Sequence, residues 1–191
     1  MERPANRSFT SDMNPIATND PVTSRPVTDV PTGLVVRAIG KRSFCTLATT
    51  SPQGRPHVAG MIYAAVGSDL YVSTLRASRK ARNIASNPSV AVCIPVRRLP
   101  FGPPSSVQFQ GRAELLALDD PGVLRLVEAG HLKGVTGHGE LELPGGCFVR
   151  ITPNGRAATF GLGMSLLRFL RDPLNAGGVT DLGAALGSGR P

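Results

Sequence analysis

The sequence predicts a mainly β fold with short helices, closed into a small barrel. Short apolar, β-branched runs follow one another closely between residues 43 and 160. Their first connections carry Pro, Gly, Ser and Asp where hairpins need them. A single short helix interrupts the series after the third run. Many short strands with few helices favour a closed β-barrel over a parallel α/β sheet.

The elements follow in order. A helix is predicted over 29–42, where Leu34, Val35 and Ile39 share a face and Lys41 and Arg42 stand at the end that favours cations. Strands are predicted at 43–50 (SFCTLATT), 57–66 (HVAGMIYAAV) and 70–74 (LYVST). Ser51-Pro52-Gln53-Gly54-Arg55 turns the first into the second, and Gly67-Ser68-Asp69 the second into the third, which makes an antiparallel meander. A helix over 79–87 follows, with Ser78 as its N-cap, Ala77, Ala81, Ile84 and Ala85 on one face, and Pro88 as its stop. Strand 89–96 (SVAVCIPV) leads into a Pro- and Gly-rich loop at 97–104. A longer strand at 107–118 is bent at Gly111. Asp119 and Asp120 before Pro121 open a helix that ends near Gly130. Segments 146–152 and 156–160 form a last hairpin about Asn154-Gly155. An amphipathic piece at 165–171, with Met164, makes a core or subunit contact. The organisation is a loose tail at 1–28, one domain at 29–172 and a flexible tail at 173–191.

Hydrophobic residues make up 41% of the chain and aromatics 5%, with no Trp, so the core is built from Val, Leu, Ile and Ala. Cys45, Cys93 and Cys147 lie in apolar runs without a CxxC or metal-ligand spacing. They read as buried thiols in a reducing, cytoplasmic setting, and no metal site is expected. His57 reads as a polar strand-end residue, and His131 and His138 flank a Gly-rich loop. No apolar run is long enough for a membrane span, and no secretory signal is visible. The formal net charge of +8 favours an anionic partner, either a nucleic acid or a phosphorylated cofactor. The basic residues lack interleaved aromatics and no helix-turn-helix is evident, so no nucleic-acid partner is expected.

The most informative stretch is 74–83 (TLRASRKARN). With Ser78 as the cap, Arg79, Lys80 and Arg82 crowd the helix end that carries a partial positive charge. Each misplaced cation costs about 0.3–1 kcal/mol. An anion held there by free backbone N–H groups and the cations would explain the arrangement. A solvated basic helix without a ligand would show the same pattern.

These residues, taken with Phe44 to Thr50, the run Gln53-Gly54-Arg55-Pro56-His57-Val58, Leu70 to Thr74, Asn83-Ile84, Asn87-Pro88, and Val107 to Leu115 with Gly111 and Glu114, resemble a known family. It is the flavin- and deazaflavin-dependent oxidoreductases of the pyridoxamine 5'-phosphate oxidase-like, FMN-binding split-barrel superfamily. The resemblance spans roughly residues 30 to 160. It implies a split β-barrel and a homodimer with cofactor near the two-fold interface. It also implies that Arg79 and Lys80 hold the cofactor phosphate, with Ser78 and Thr74 beside them. Val58, Ala59, Gly60, Met61 and Ile62 stand where backbone groups meet the cofactor ring, and Ser106 stands at a further phosphate contact. Lys80-Ala81-Arg82-Asn83 is more similar to the branch that uses the deazaflavin coenzyme F-420, with FMN as the alternative and haem as a third possibility. The substrate-binding motif of true vitamin B6 oxidases is not recognisable. The implied activity is hydride transfer between the reduced cofactor and a small unsaturated substrate; position along the chain alone puts substrate entry near Met61 and Tyr63, with the loop at 97–104 as a lid. The rival is a non-catalytic cofactor carrier of the same fold.

Overall fold

The computed structural model describes residues 28–96 and 104–182. Residues 97–103 of the proposed lid at 97–104, residues 1–27 of the N-terminal tail and residues 183–191 of the C-terminal tail lie outside these residues.

Helix α1 (Thr32–Gly40) buries Val35, Ala38 and Ile39 against the barrel. Strands β2 (Phe44–Thr50) and β3 (Pro56–Ile62) form the first hairpin in full register, Phe44 opposite Ile62 and Thr50 opposite Pro56. The turn closes with Ser51 N–H donating to Arg55 O and Gly54 N–H to Ser51 O, both at 2.9 Å. Gly54 has φ +74, which glycine adopts without strain.

The predicted strand at 57–66 breaks at Tyr63. This side chain is 1% exposed, its hydroxyl donates to Ile39 O at 2.7 Å, and its N–H donates to Ser43 O at 2.7 Å. Beyond it, β4 (Ala64–Val66) pairs only with β5 (Asp69–Leu75). The meander is therefore not continuous. β3 and β5 come into contact but share no ladder, and there the barrel splits.

Helix α2 (Arg79–Ser86) packs across β2, β3 and β7 and sends Ala81 and Ile84 into the core. Strands β6 (Ser89–Pro95) and β7 (Ser106–Leu116) continue the sheet. β7 carries a bulge between Phe109 and Gly111, the bend expected at that glycine. Helices α3 (Pro121–Glu128) and α4 (Lys133–Thr136) cover a second, smaller core of Tyr71, Val123, Leu132, Val135 and Phe148. Asp120 caps α3 by accepting from the N–H groups of Gly122 at 2.8 Å and Val123 at 3.0 Å.

The last hairpin is corrected. Strand β8 (Gly146–Phe160) runs straight through Asn154-Gly155, and both of its halves pair with β7. On its other edge the first half holds β5, and the second holds β9 (Gly177–Asp181). Gly155, at φ +87, takes up the bend opposite the bulge. Pairing of both halves with one long neighbour outweighs the local turn preference of Asn-Gly. Within the expected tail at 173–191, residues 177–181 form strand β9. Gly178, Thr180 and Leu182 alternate inward with period two, and β1 (Thr28–Asp29) pairs parallel along it. The resulting order is β3-β2-β6-β7-β8-β9-β1, with β5 and then β4 on the free half of β8. This is a mainly β split half-barrel with short helices.

Helix α5 (Leu166–Arg171) leaves Leu167 and Leu170 62% and 69% exposed, so it is not part of the core. Among the described residues no helix is long and apolar enough to cross a membrane.

A Cβ on Gly111 would stand 2.6 Å from Thr152 O. Gly111→Ala should therefore force the β7–β8 bulge open and destabilise the protein by about 1–3 kcal/mol in thermal or urea melts, the usual cost of overpacking. A melt identical to wild type would show that the bulge tolerates a side chain.

Candidate functional site

The end of β5 delivers the chain to α2. Thr74, 8% exposed, places its hydroxyl 3.3 Å from that of Ser78. Ser78 has extended backbone and caps the helix, its Oγ accepting from Ala81 N–H at 3.3 Å. Arg82 N–H donates to Ser78 O at 3.0 Å. The N–H groups of Arg79 and Lys80 find no acceptor among the described residues. The cap was readable in the sequence because it is a local contact.

The cations meet at this end. Arg76, Arg79 and Arg82 are exposed and Lys80 is half-buried. Among the described residues none of them pairs with a carboxylate; the ion pairs there are His138–Glu140 and Arg150–Glu114. No acidic residue stands in the first turn of α2. Cys147, the β8 partner of Thr74, reports on the same corner: burial pushes its thiol up, while Arg76 and Lys80 act to pull it down. Partnerless cations, free N–H groups and the Thr74–Ser78 hydroxyl pair together make a donor set that fits a phosphate.

Asn83 has a different role. It is 4% exposed and donates from Nδ2 to Thr49 Oγ1 at 3.0 Å, and Thr49 is itself 2% exposed. This bond pins α2 to β2. Thr49 escaped the sequence reading because its partner is distant in the chain.

The β3 residues divide by face. Val58, Gly60 and Ile62 point outward, Val58 61% and Ile62 57% exposed, while Ala59 and Met61 turn toward the core. The edge of β3 away from β2 has no ladder partner among the described residues, so its backbone groups can meet a ligand. The Phe44 ring lies over Gly60, in contact distance of the Cβ that residue lacks. The substrate entry proposed near Met61 and Tyr63 is corrected, because both side chains belong to the main core.

Ser106 is not brought to α2. It pairs with Pro95 and Phe160, at the far end of β8 from Cys147, and accepts from Gln108 Nε2 at 3.1 Å. It stands at the rim of the outer sheet face. That face holds a shallow hollow of about 730 Å³ lined by small residues, among them Thr46, Ala48, Cys93 and Ala158, and by the longer Gln108 and Arg156. Cys93 is thus half-buried on this face rather than a core thiol, whereas Cys45 and Cys147 are 0% exposed. Among the described residues no group of three or more His, Cys, Asp or Glu side chains is placed to hold a metal.

The described residues thus form a split half-barrel with a basic helix N-terminus. The family model described as Pyridoxamine 5'-phosphate oxidase matches residues 32–157, and the chain belongs to that family. No protein of the curated set matches its sequence. Solved structures share the fold. The haem storage protein of Vibrio cholerae has a TM-score of 0.58 at 21% identity, covering 68% of this chain and 94% of its own. A haem-binding protein of Mycobacterium smegmatis has a TM-score of 0.63 at 17% identity, covering 85% of this chain but only 62% of its own. A pyridoxamine 5'-phosphate oxidase-related, FMN-binding protein of Nostoc punctiforme has a TM-score of 0.51 at 18% identity, covering 74% of this chain and 85% of its own. These three are described as binding haem or FMN, and none as binding a deazaflavin.

Burial, with a smaller contribution from Cys93, pushes the Cys45 thiol up to about 12, and burial raises Cys147 as well. At pH 8 both stay protonated, and the thiolate is the reactive form. A thiol reagent should leave Cys45 and Cys147 unmodified in the native protein and reach all three cysteines in denaturant. Peptide mapping after labelling checks this, and rapid native labelling of Cys45 would contradict it.

Proposed function

We propose that this chain binds a phosphorylated, flavin-type cofactor with its phosphate at the N-terminus of α2, and acts as an oxidoreductase that transfers a hydride between the reduced cofactor and a small unsaturated substrate. One observation carries the reading: Arg79, Lys80 and two free N–H groups converge on one helix end with no carboxylate partner among the described residues. The redox chemistry is the cofactor's when bound. The chain's own residues would orient it. Ser78 and Thr74 would complete the phosphate cradle, and the open β3 edge from Val58 to Ile62 would present backbone groups to the ring.

Arg76 and Arg82 remain beyond what one phosphate needs. They favour a cofactor with further carboxylates, the deazaflavin coenzyme F-420, over FMN. A haem carrier without turnover is the second reading, because two of the structural relatives are described as haem proteins. The absorbance spectrum of the purified protein, before and after adding each cofactor, separates haem from flavin and flavin from deazaflavin. A reducing, cytoplasmic setting suits the free thiols.

A second copy belongs to this reading. The outer sheet face exposes Phe44, Val58 and Ile62 beside the small-residue hollow, and Ser106 stands on the rim of that same face. Closing this face on a partner would bury apolar surface and bring Ser106 toward the other subunit's cofactor. The assembly should be a homodimer.

Lys80→Ala should weaken binding of either flavin cofactor by about 1.5–3 kcal/mol, the scale of a hydrogen bond to a charged group. Affinity for coenzyme F-420 should exceed that for FMN at low salt. The gap should narrow as salt screens the tail carboxylates, and again in Arg82→Ala. Fluorescence titrations at two salt concentrations check both effects. Unchanged affinity in folded Lys80→Ala removes α2 from the site, and tighter FMN binding throughout overturns the deazaflavin preference. Light scattering should give about twice the 20.0 kDa chain mass; a monomer that still holds cofactor contradicts the shared face.

A further inference from the structure

A second hollow, of about 320 Å³, lies between the start of α1 and the excursion that joins β8 to β9. It stands at the opposite end of β8 from Cys147 and the corner where α2 begins. Small-ligand sites occupy about 300–1,000 Å³, with mostly apolar walls and a few placed polar groups. Val30, Leu34, Leu162 and Met164 supply the walls here, and each is buried or half-buried. Glycines keep the space open. A Cβ on Gly163 would stand 3.1 Å from Leu34 Cδ2, and one on Gly177 would meet nothing within 4 Å.

Two opposite charges line this hollow, Arg168 from α5 and Asp29 from β1. Each is placed by its own element. The Phe169 ring stands edge-on to Phe160 with centroids 5.7 Å apart, which fixes α5 to the end of β8. Ser165 caps that helix, its Oγ accepting from Arg168 N–H at 3.3 Å. Asp29 lies opposite Val179 of β9, and the next residue, Val30, donates its N–H to Val179 O at 3.0 Å. The guanidinium and the carboxylate line one space, yet neither is ion-paired with the other or with any described residue.

That pairing of groups selects among ligands. A phosphate or a dicarboxylate would meet Asp29 as a like charge, and a metal cation would meet Arg168 as one. A zwitterion offers each group its complement through charge-assisted hydrogen bonds. The apolar walls ask for an apolar side chain between the two charges.

We propose that this hollow binds a free α-amino acid with an apolar side chain. The ligand's carboxylate accepts from the Arg168 guanidinium, its ammonium donates to the Asp29 carboxylate, and its side chain lodges among Val30, Leu34, Leu162 and Met164. The site is separate from the phosphate site at α2.

Calorimetric titration of the full chain tests this with L-leucine as the probe. Leucine should bind saturably, one per chain. Isocaproate lacks the ammonium, isoamylamine lacks the carboxylate and glycine lacks the side chain; each should bind about ten-fold more weakly or worse, the scale of one charge-assisted hydrogen bond or one buried apolar group. Arg168→Gln should lower leucine affinity about ten-fold and leave isoamylamine unchanged. Asp29→Asn should cost leucine as much and leave isocaproate unchanged. Isocaproate binding as tightly as leucine would make this a plain anion site and overturn the zwitterion. Glycine binding as tightly would take the apolar walls out of the site and overturn the ligand class. No saturable binding of leucine at millimolar concentration would overturn the site altogether. These three outcomes are read on the wild-type protein, so they decide the matter even where a variant fails to fold.

Discussion

Asn83 donates to Thr49 across the seam between α2 and β2, and much of the candidate site follows from that bond. An eight-residue helix has only about two turns of packing on which to fix its direction. Ala81 and Ile84 supply apolar burial, but apolar contact alone tolerates sliding and rotation. A buried amide and a buried hydroxyl, each costly to leave unpaired, permit one rotation. With Asn83 turned inward, Lys80 and Arg79 fall on the neighbouring turn of the same face. The helix N-terminus then opens beside Thr74 and Cys147, where β5 meets β8.

A second constraint acts at Tyr63. Its buried ring and its bond to Ile39 O tie the middle of the hairpin to α1 and divide β3 from β4. β5 then pairs away from β3, and the barrel stays split along that side. A closed barrel would have used the outer edge of β3 for its own ladder. In the split form that edge keeps backbone groups without a ladder partner among the described residues, and α2 packs against the same strand. The outer sheet face leaves Val58 and Ile62 more than half exposed.

The parts of this arrangement that were legible in the sequence are local ones. Ser78 as a cap, Pro88 as a stop, Gly111 as a bend and the cations of residues 79–82 all act within a few residues of themselves. Those parts that depend on distant pairing were not. Asn154-Gly155 has the composition of a hairpin turn, yet the shared partner β7 draws both flanks into one strand. Gly177 to Asp181 looks like a loose tail because glycines carry no hydrophobic signal, yet its alternate residues close the sheet. Met61 and Tyr63 look available in the sequence and are core in the fold. Ser106 lies at the right place along the chain but at the wrong end of β8 for α2. The Thr49–Asn83 bond arises only when β2 and α2 are brought together in space.

The central claim is that the N-terminus of α2 receives a phosphate, and a crystal structure of the protein grown with FMN addresses it most directly. The account predicts phosphate oxygens about 3 Å from the N–H groups of Arg79 and Lys80, within reach of the Lys80 ammonium. An FMN molecule whose phosphate lies on the outer sheet face, or anywhere away from the first turn of α2, would contradict it.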